Sequence, residues 1–192
     1  MEKDTRYQRA LEFATRAHEG AVRKGSSIPY ITHPVETAEI VSGMTDDEDV
    51  IIAALLHDVA EDTVYTLDDI RKSFGDRVAE LVAGETENKR RGQNPSDTWY
   101  IRKKETLDHL KNAPIEVKLL ALADKLSNMR LSILKFREQG VSMWNCFNEK
   151  DPKMHEWYYR GVAEAVSEFK GTKEWQEYVS LCDAVFGNGE GK

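Results

Sequence analysis

The sequence predicts an all-α protein with one domain. Apolar residues recur at helical spacing along most of the chain. Prolines, acids and hydroxyl residues stand where helices start, and glycines where they stop. No segment alternates apolar and polar residues like a half-buried strand, and no hairpin dipeptide joins two such runs. Roughly eight to ten helices are expected from this periodicity.

The first helix runs from Tyr7 to His18, with Leu11, Phe13, Ala14 and Ala17 as its apolar residues. Pro34 fits the first turn of a second helix ending near Val41, because proline is tolerated there. Asp46 or Asp47 caps a third, through Ile51, Ala54, Leu55 and His57. Thr66-Leu67-Asp68-Asp69 reads as a capping box for a helix to about Phe74, which Gly75 ends. Arg77 to Glu85 continues helically, and residues 88–96 form the clearest loop. Thr98 to Lys111 is a charged helix. Pro114 opens a long one from Ile115 to about Phe136, with Val117, Leu120, Ala121, Leu122 and Leu126 inward. Gly140 breaks the pattern. Asp151-Pro152 starts a helix to about Phe169, and Thr172 to Phe186 forms the last. The domain is expected to cover residues 1–187, with 188–192 a frayed tail.

The chain has 192 residues, 40% hydrophobic and 32% charged, enough for one substantial core. No stretch approaches the roughly 20 apolar residues of a membrane span. The N-terminus carries no apolar signal region, so a cytoplasmic protein is expected. Cys146 and Cys182 read as free thiols in a reducing compartment. A net charge of −7 argues against nucleic-acid or membrane binding. It leaves room for a local basic pocket at Arg23-Lys24 or Lys89-Arg90-Arg91, and for self-assembly.

The chemistry concentrates at His57-Asp58, directly after the apolar run Val50–Leu56, with Glu61 and Asp62 about one turn further on. Acids beside a core are costly unless a cation neutralises them. His33, fixed before Pro34, and Asp124, flanked by apolar residues, are candidates to complete a metal site. Mixed His and Asp ligands suit Mn²⁺, Fe²⁺ or Zn²⁺ better than Ca²⁺. Each residue also has a plainer reading. His33 can be structural, Asp124 can be in a buried ion pair, His57-Asp58 can finish a helix, and Glu61-Asp62 can be a solvated helix end.

The pattern His33, His57-Asp58 and Asp124 resembles the HD-domain metal phosphohydrolases. The neighbouring blocks narrow the resemblance: Ala17-His18 through Arg23-Lys24, Pro29-Tyr30-Ile31-Thr32-His33-Pro34, His57-Asp58 through Glu61-Asp62-Thr63, Phe74-Gly75, and Asp124-Lys125-Leu126-Ser127-Asn128-Met129-Arg130. Together they look like the hydrolase domain of RelA/SpoT-type alarmone enzymes, especially the small hydrolase-only members such as the metazoan SpoT homologue. The resemblance implies an HD-type helical bundle with one Mn²⁺ held by His33, His57, Asp58 and Asp124. It also implies removal of the 3′-pyrophosphate from guanosine tetra- or pentaphosphate, with Glu61 and Asp62 handling the attacking water. Arg23, Lys24 and Asn128 are implied to contact the nucleotide, Lys125 and Arg130 to lie beside it, and Tyr158 to touch the ribose. The alternative for Arg23-Lys24 is an exposed basic turn, and for Tyr158 a packed aromatic face. No synthetase activity is expected from a chain of this length.

The chain departs from the family after Glu87, where Thr86-Glu87-Asn88-Lys89-Arg90-Arg91 replaces a Thr-Lys-Leu-like segment. Lys89, Arg90 or Arg91 is a candidate for a distal phosphate. Hydrolysis of another nucleotide (ppApp, NADPH or a dNMP) and a non-catalytic nucleotide-binding module are the alternative functions.

Overall fold

Glu48 to Leu56 form the helix on which the rest is arranged, since Val50 and every residue from Ile52 to Leu56 are buried. A helix apolar all round must be covered on all sides. The computed structural model describes residues 5–187, so the tail expected at 188–192 lies outside the described residues. Among them the order is α1 (Arg6–Ala17), α2 (Thr32–Ser42), α3 (Glu48–Leu56), α4 (Val59–Asp62), α5 (Leu67–Phe74) and α6 (Asp76–Glu85). There follow α7 (Pro95–Leu110), α8 (Ile115–Gln139), α9 (Pro152–Ala165) and α10 (Lys173–Phe186). The fold is all-α. α3 is covered by α1, α2, α6 and α8, and the long α8 also carries α9 and α10.

Local signals set the starts. Asp47 caps α3 through the Asp49 amide, at 3.1 Å. Thr66 and Asp69 close the expected capping box of α5. Asp151 caps α9 with Pro152 just inside, and Thr172 caps α10. Glycine matters most at Gly84, where a Cβ would stand 2.7 Å from Val117 Cγ2. α6 and α8 therefore meet at this point with only the Val117 side chain between them.

Four boundaries differ from expectation. The loop ends at Asn94, because Asn94 caps α7 through the Ser96 amide. α8 runs on to Gln139, where Gly140 at φ +59 stops it. α9 stops at Ala165, and a separate 3-10 turn covers Ser167–Phe169. Residues 21–30, outside every expected helix, fold back on themselves through one antiparallel bridge between Val22 and Pro29. The amides of Arg23 and Tyr30 bond the carbonyls of Ile28 and Ala21 at 2.8 and 2.9 Å, and Gly25 at φ +68 makes the turn. A pairing this short leaves no periodic trace in a sequence.

Substituting Gly84 should be disruptive. Gly84→Val forces two β-branched side chains together and should cost about 1–3 kcal/mol. A urea midpoint equal to the wild type's would show that the α6–α8 contact yields freely.

Candidate active site

α3 ends at Leu56, and His57 and Asp58 occupy the step before the short α4. His57 is still helical at φ −56, ψ −37, while Asp58 flattens to φ −91, ψ −7. That step points both side chains toward α2 and α8. His33, in the first turn of α2, and Asp124, in the middle of α8, complete the group. His33 Nε2 lies 3.0 Å from Asp124 Oδ1 and 3.5 Å from Asp58 Oδ2. His57 Nε2 lies 3.1 Å from Asp58 Oδ2 and 3.8 Å from Asp124 Oδ1. The structure thus brings together all four residues that the sequence singled out from three segments.

The donor set fits a divalent cation. His57 Nδ1 donates to the Ala54 carbonyl at 2.7 Å, which turns the Nε2 lone pair toward the carboxylates. That buried Nε2 has no hydrogen-bond partner, although Asp58 is near. An orphaned imidazole nitrogen facing carboxylate oxygens is a ligand set in need of a positive charge. Without a cation, a proton on His57 supplies the positive charge. Burial alone would lower the His57 pKa, but Asp58 and Asp124 push it up to about 10. Asp58 and Asp124 are themselves held well below the usual carboxylate range: against the effect of burial, His57 does this for Asp58 and Lys125 for Asp124.

Neighbours hold both carboxylates. Tyr30 donates from its hydroxyl to Asp58 Oδ2 at 2.6 Å, and His18 packs its ring 4.8 Å from Tyr30. Asn128, one turn after Asp124, donates to Asp124 Oδ1 at 2.6 Å. Lys125 bonds the other Asp124 oxygen, so the ion-pair reading of Asp124 holds alongside the cluster. Tyr30, Glu85, Ser127 and Glu36 were not picked out individually by sequence reasoning. Tyr30 and Ser127 stood inside quoted blocks; Glu36 and Glu85 carried no local signal. Glu85 is a buried acid 3.7 Å from Lys125, and burial pushes it up to about 8.

Glu61 and Asp62 extend the acidic side, with Asp58, Glu61 and Asp62 close enough to hold one cation together. Burial, then the charge of Asp58, raise the Glu61 pKa, and Lys89 opposes them. Lys89 Nζ bridges Glu61 Oε1 at 2.7 Å and Asp62 Oδ1 at 3.0 Å. The Glu87 amide donates to Glu61 Oε2 at 2.8 Å, and Arg91 to the Glu61 carbonyl at 3.1 Å. Arg90 pairs with Glu105. The three basic residues offered for a distal phosphate are thus engaged with acids or carbonyls of the chain itself. They border a cleft of about 770 Å³ beside Glu61, a volume in the range of ligand sites.

The residues expected around a nucleotide are more varied. Arg23 is not an exposed turn residue: it is 6% exposed and donates to Asn128 Oδ1 at 2.9 Å. Lys24 is exposed and lies over the Phe147 ring at 5.2 Å. Tyr158 is 3% exposed, beside Trp99 and Tyr159, with Lys103 4.8 Å from its ring. Arg130 turns away from the cluster to Glu36 and Glu177.

Residues 10–142 match the HD domain. The chain belongs to the HD-domain family. Hydrolases of this family bind a divalent metal. Among relatives, the chain is 31% identical over 192 aligned positions to a guanosine-3′,5′-bis(diphosphate) 3′-pyrophosphohydrolase of Aquifex aeolicus (strain VF5), covering 90% of this chain and 27% of that protein. It is 41% identical over 128 positions to the bifunctional (p)ppGpp synthase/hydrolase SpoT of Escherichia coli (strain K12), covering 65% and 18%. The chain therefore spans less than a third of either relative's length. A solved structure described as a metazoan ortholog of SpoT that hydrolyzes ppGpp superposes with TM-score 0.72 at 25% identity, over 94% of this chain and 96% of that one. Among the described residues no helix is long and apolar enough to cross a membrane.

The raised His57 pKa sets a pH dependence for metal-free protein. The proton that His57 keeps in the fold stabilises it fully below about pH 6.5, the free-histidine value. That contribution disappears as pH rises toward about 10. Urea midpoints of metal-free protein should fall across this window, and those of His57→Gln should fall less. Parallel profiles would contradict the assignment of charge to His57.

Proposed function

We propose that the chain is a metal-dependent phosphohydrolase that removes the 3′-pyrophosphate of guanosine tetra- or pentaphosphate. The observation that carries the reading is the orphaned His57 Nε2, turned into a group of His33, Asp58 and Asp124 one turn from Glu61-Asp62. His33, His57, Asp58 and Asp124 hold the ion, and their mixed nitrogen and carboxylate donors suit one Mn²⁺. Bound there, a divalent ion polarises a phosphoryl oxygen and makes a coordinated water more acidic. The relatives' names supply the substrate class.

The chain's own residues supply the rest. Glu61, with its pKa raised, accepts a proton from the attacking water, and Asp62 orients that water. Lys89 steadies both carboxylates and opposes the rise at Glu61 that burial and Asp58 cause. Water adds across the bond between the 3′ oxygen and phosphorus; the products are pyrophosphate and GDP or GTP, whose 3′ oxygen ends protonated. Arg23 and Asn128, joined by their hydrogen bond, form the nucleotide-facing wall. Lys24 reaches a phosphate from the exposed turn. Tyr158 is assigned the ribose contact on the resemblance alone, since its surroundings are those of a packed side chain. The free thiols of Cys146 and Cys182 support a reducing, cytoplasmic location.

Two measurements test this. With Mn²⁺, the protein should release pyrophosphate from ppGpp faster than it cleaves ppApp, NADPH or dNMPs, and chelation should abolish turnover. Preference for another nucleotide would leave the hydrolase and replace the substrate. Glu61→Gln with Asp62→Asn should lower kcat by about 10²–10⁴-fold while ppGpp still binds. Binding without turnover in the wild type would make the chain a nucleotide-binding module.

A further inference from the structure

His33 presents only Nε2 to the cluster, and the other side of its ring is held by residues to which the sequence reading gave no role. Its Nδ1 lies 2.8 Å from Ser127 Oγ. Ser127 has one proton to give, and that proton goes to Glu36 Oε2, 2.7 Å away, because a carboxylate only accepts. Arg23 Nη1, at 3.5 Å, is a further donor to the same oxygen. His33 Nδ1 must therefore donate. This leaves the Nε2 lone pair facing Asp124 Oδ1 at 3.0 Å and Asp58 Oδ2 at 3.5 Å. His57 reaches the same tautomer by another route, through the Ala54 carbonyl.

We propose that Glu36, acting through the Ser127 hydroxyl, is a positioning residue for His33: a relayed carboxylate that fixes the imidazole's tautomer and raises its basicity toward the metal. Carboxylates behind metal-binding histidines act in this way, usually in direct contact. Here the serine spans the gap between α2 and α8. Glu36 is anchored in turn. Arg130 Nη1 lies 3.1 Å from its Oε1, and Arg130 grips Glu177 of α10 at 2.7 and 2.8 Å. The path runs from Glu177 on α10, across α8 and α2, to a ligand of the ion. It gives Arg130 a task away from the nucleotide, and it gives Ser127 one that the flanking motif residues do not reveal. The inference rests on the metal reading above.

The test titrates metal-free protein with Mn²⁺ alone and counts free ion by electron paramagnetic resonance. Ser127→Ala should raise the Mn²⁺ Kd by about 10- to 100-fold, and Glu36→Ala by a similar factor. The double variant should bind no more weakly than Ser127→Ala, because both act along one path. Glu36→Gln, whose amide oxygen still accepts from the hydroxyl but carries no charge, should keep the tautomer and bind Mn²⁺ with an affinity between those of the wild type and Glu36→Ala. Glu36 is only half-buried, so Glu36→Ala carries the test even if Ser127→Ala folds poorly. Nitrogen-15 shifts of His33 should report the Nδ1-protonated tautomer in the wild type and its loss in Ser127→Ala. Wild-type affinity in both single variants overturns the relay and leaves the metal reading standing. A wild type that takes up no Mn²⁺ overturns both.

Discussion

Two buried carboxylates facing two imidazoles are the constraint around which this protein is organised. Asp58 and Asp124 come from elements more than sixty residues apart, and both are largely out of water. Like charges so placed repel, and each loses hydration. The fold answers with donors on every side: Tyr30 on Asp58, Lys125 and Asn128 on Asp124, and a His57 with raised pKa between them. In the proposed reading, a divalent cation among His33 Nε2, His57 Nε2 and the carboxylate oxygens would complete the balance.

Holding that arrangement needs stiff neighbours. The apolar run of α3 sets the height of His57 and Asp58, and α8, buried along most of its length, sets Asp124 against them. The close approach at Gly84 draws α6 onto α8 and brings Glu85 beside Lys125. Histidine tautomers are fixed from behind by a carbonyl for His57 and by a serine-linked carboxylate for His33. These contacts keep both Nε2 atoms aimed inward.

The segment after Glu85 shows how a divergent stretch still serves the same centre. Glu87 is locked by Arg102 and Lys103, which fixes the backbone whose amide meets Glu61. Lys89 then lies across Glu61 and Asp62. A basic loop that reads as a phosphate site supplies, in the folded chain, the counter-charge for Glu61 and Asp62.

The sequence by itself determined the helical fold, most helix starts, and the four residues that the fold brings together at its centre. Caps, prolines and 3.6-residue periodicity are local, and a charged residue set against an apolar run is conspicuous wherever the chain leads. Phe74-Gly75 and Thr66-Asp69 were legible for the same reason. Only the tertiary structure decided what depends on distant partners. Arg23 is buried on Asn128, more than a hundred residues away; Lys89 is spent on Glu61 and Asp62; Tyr158 packs as core. Ser127 and Glu36 are ordinary helix residues in sequence, and become a relay because the α2–α8 packing sets a hydroxyl between a histidine and an acid. Periodicity gives the face a side chain takes; which group it meets there is settled by how the helices cross.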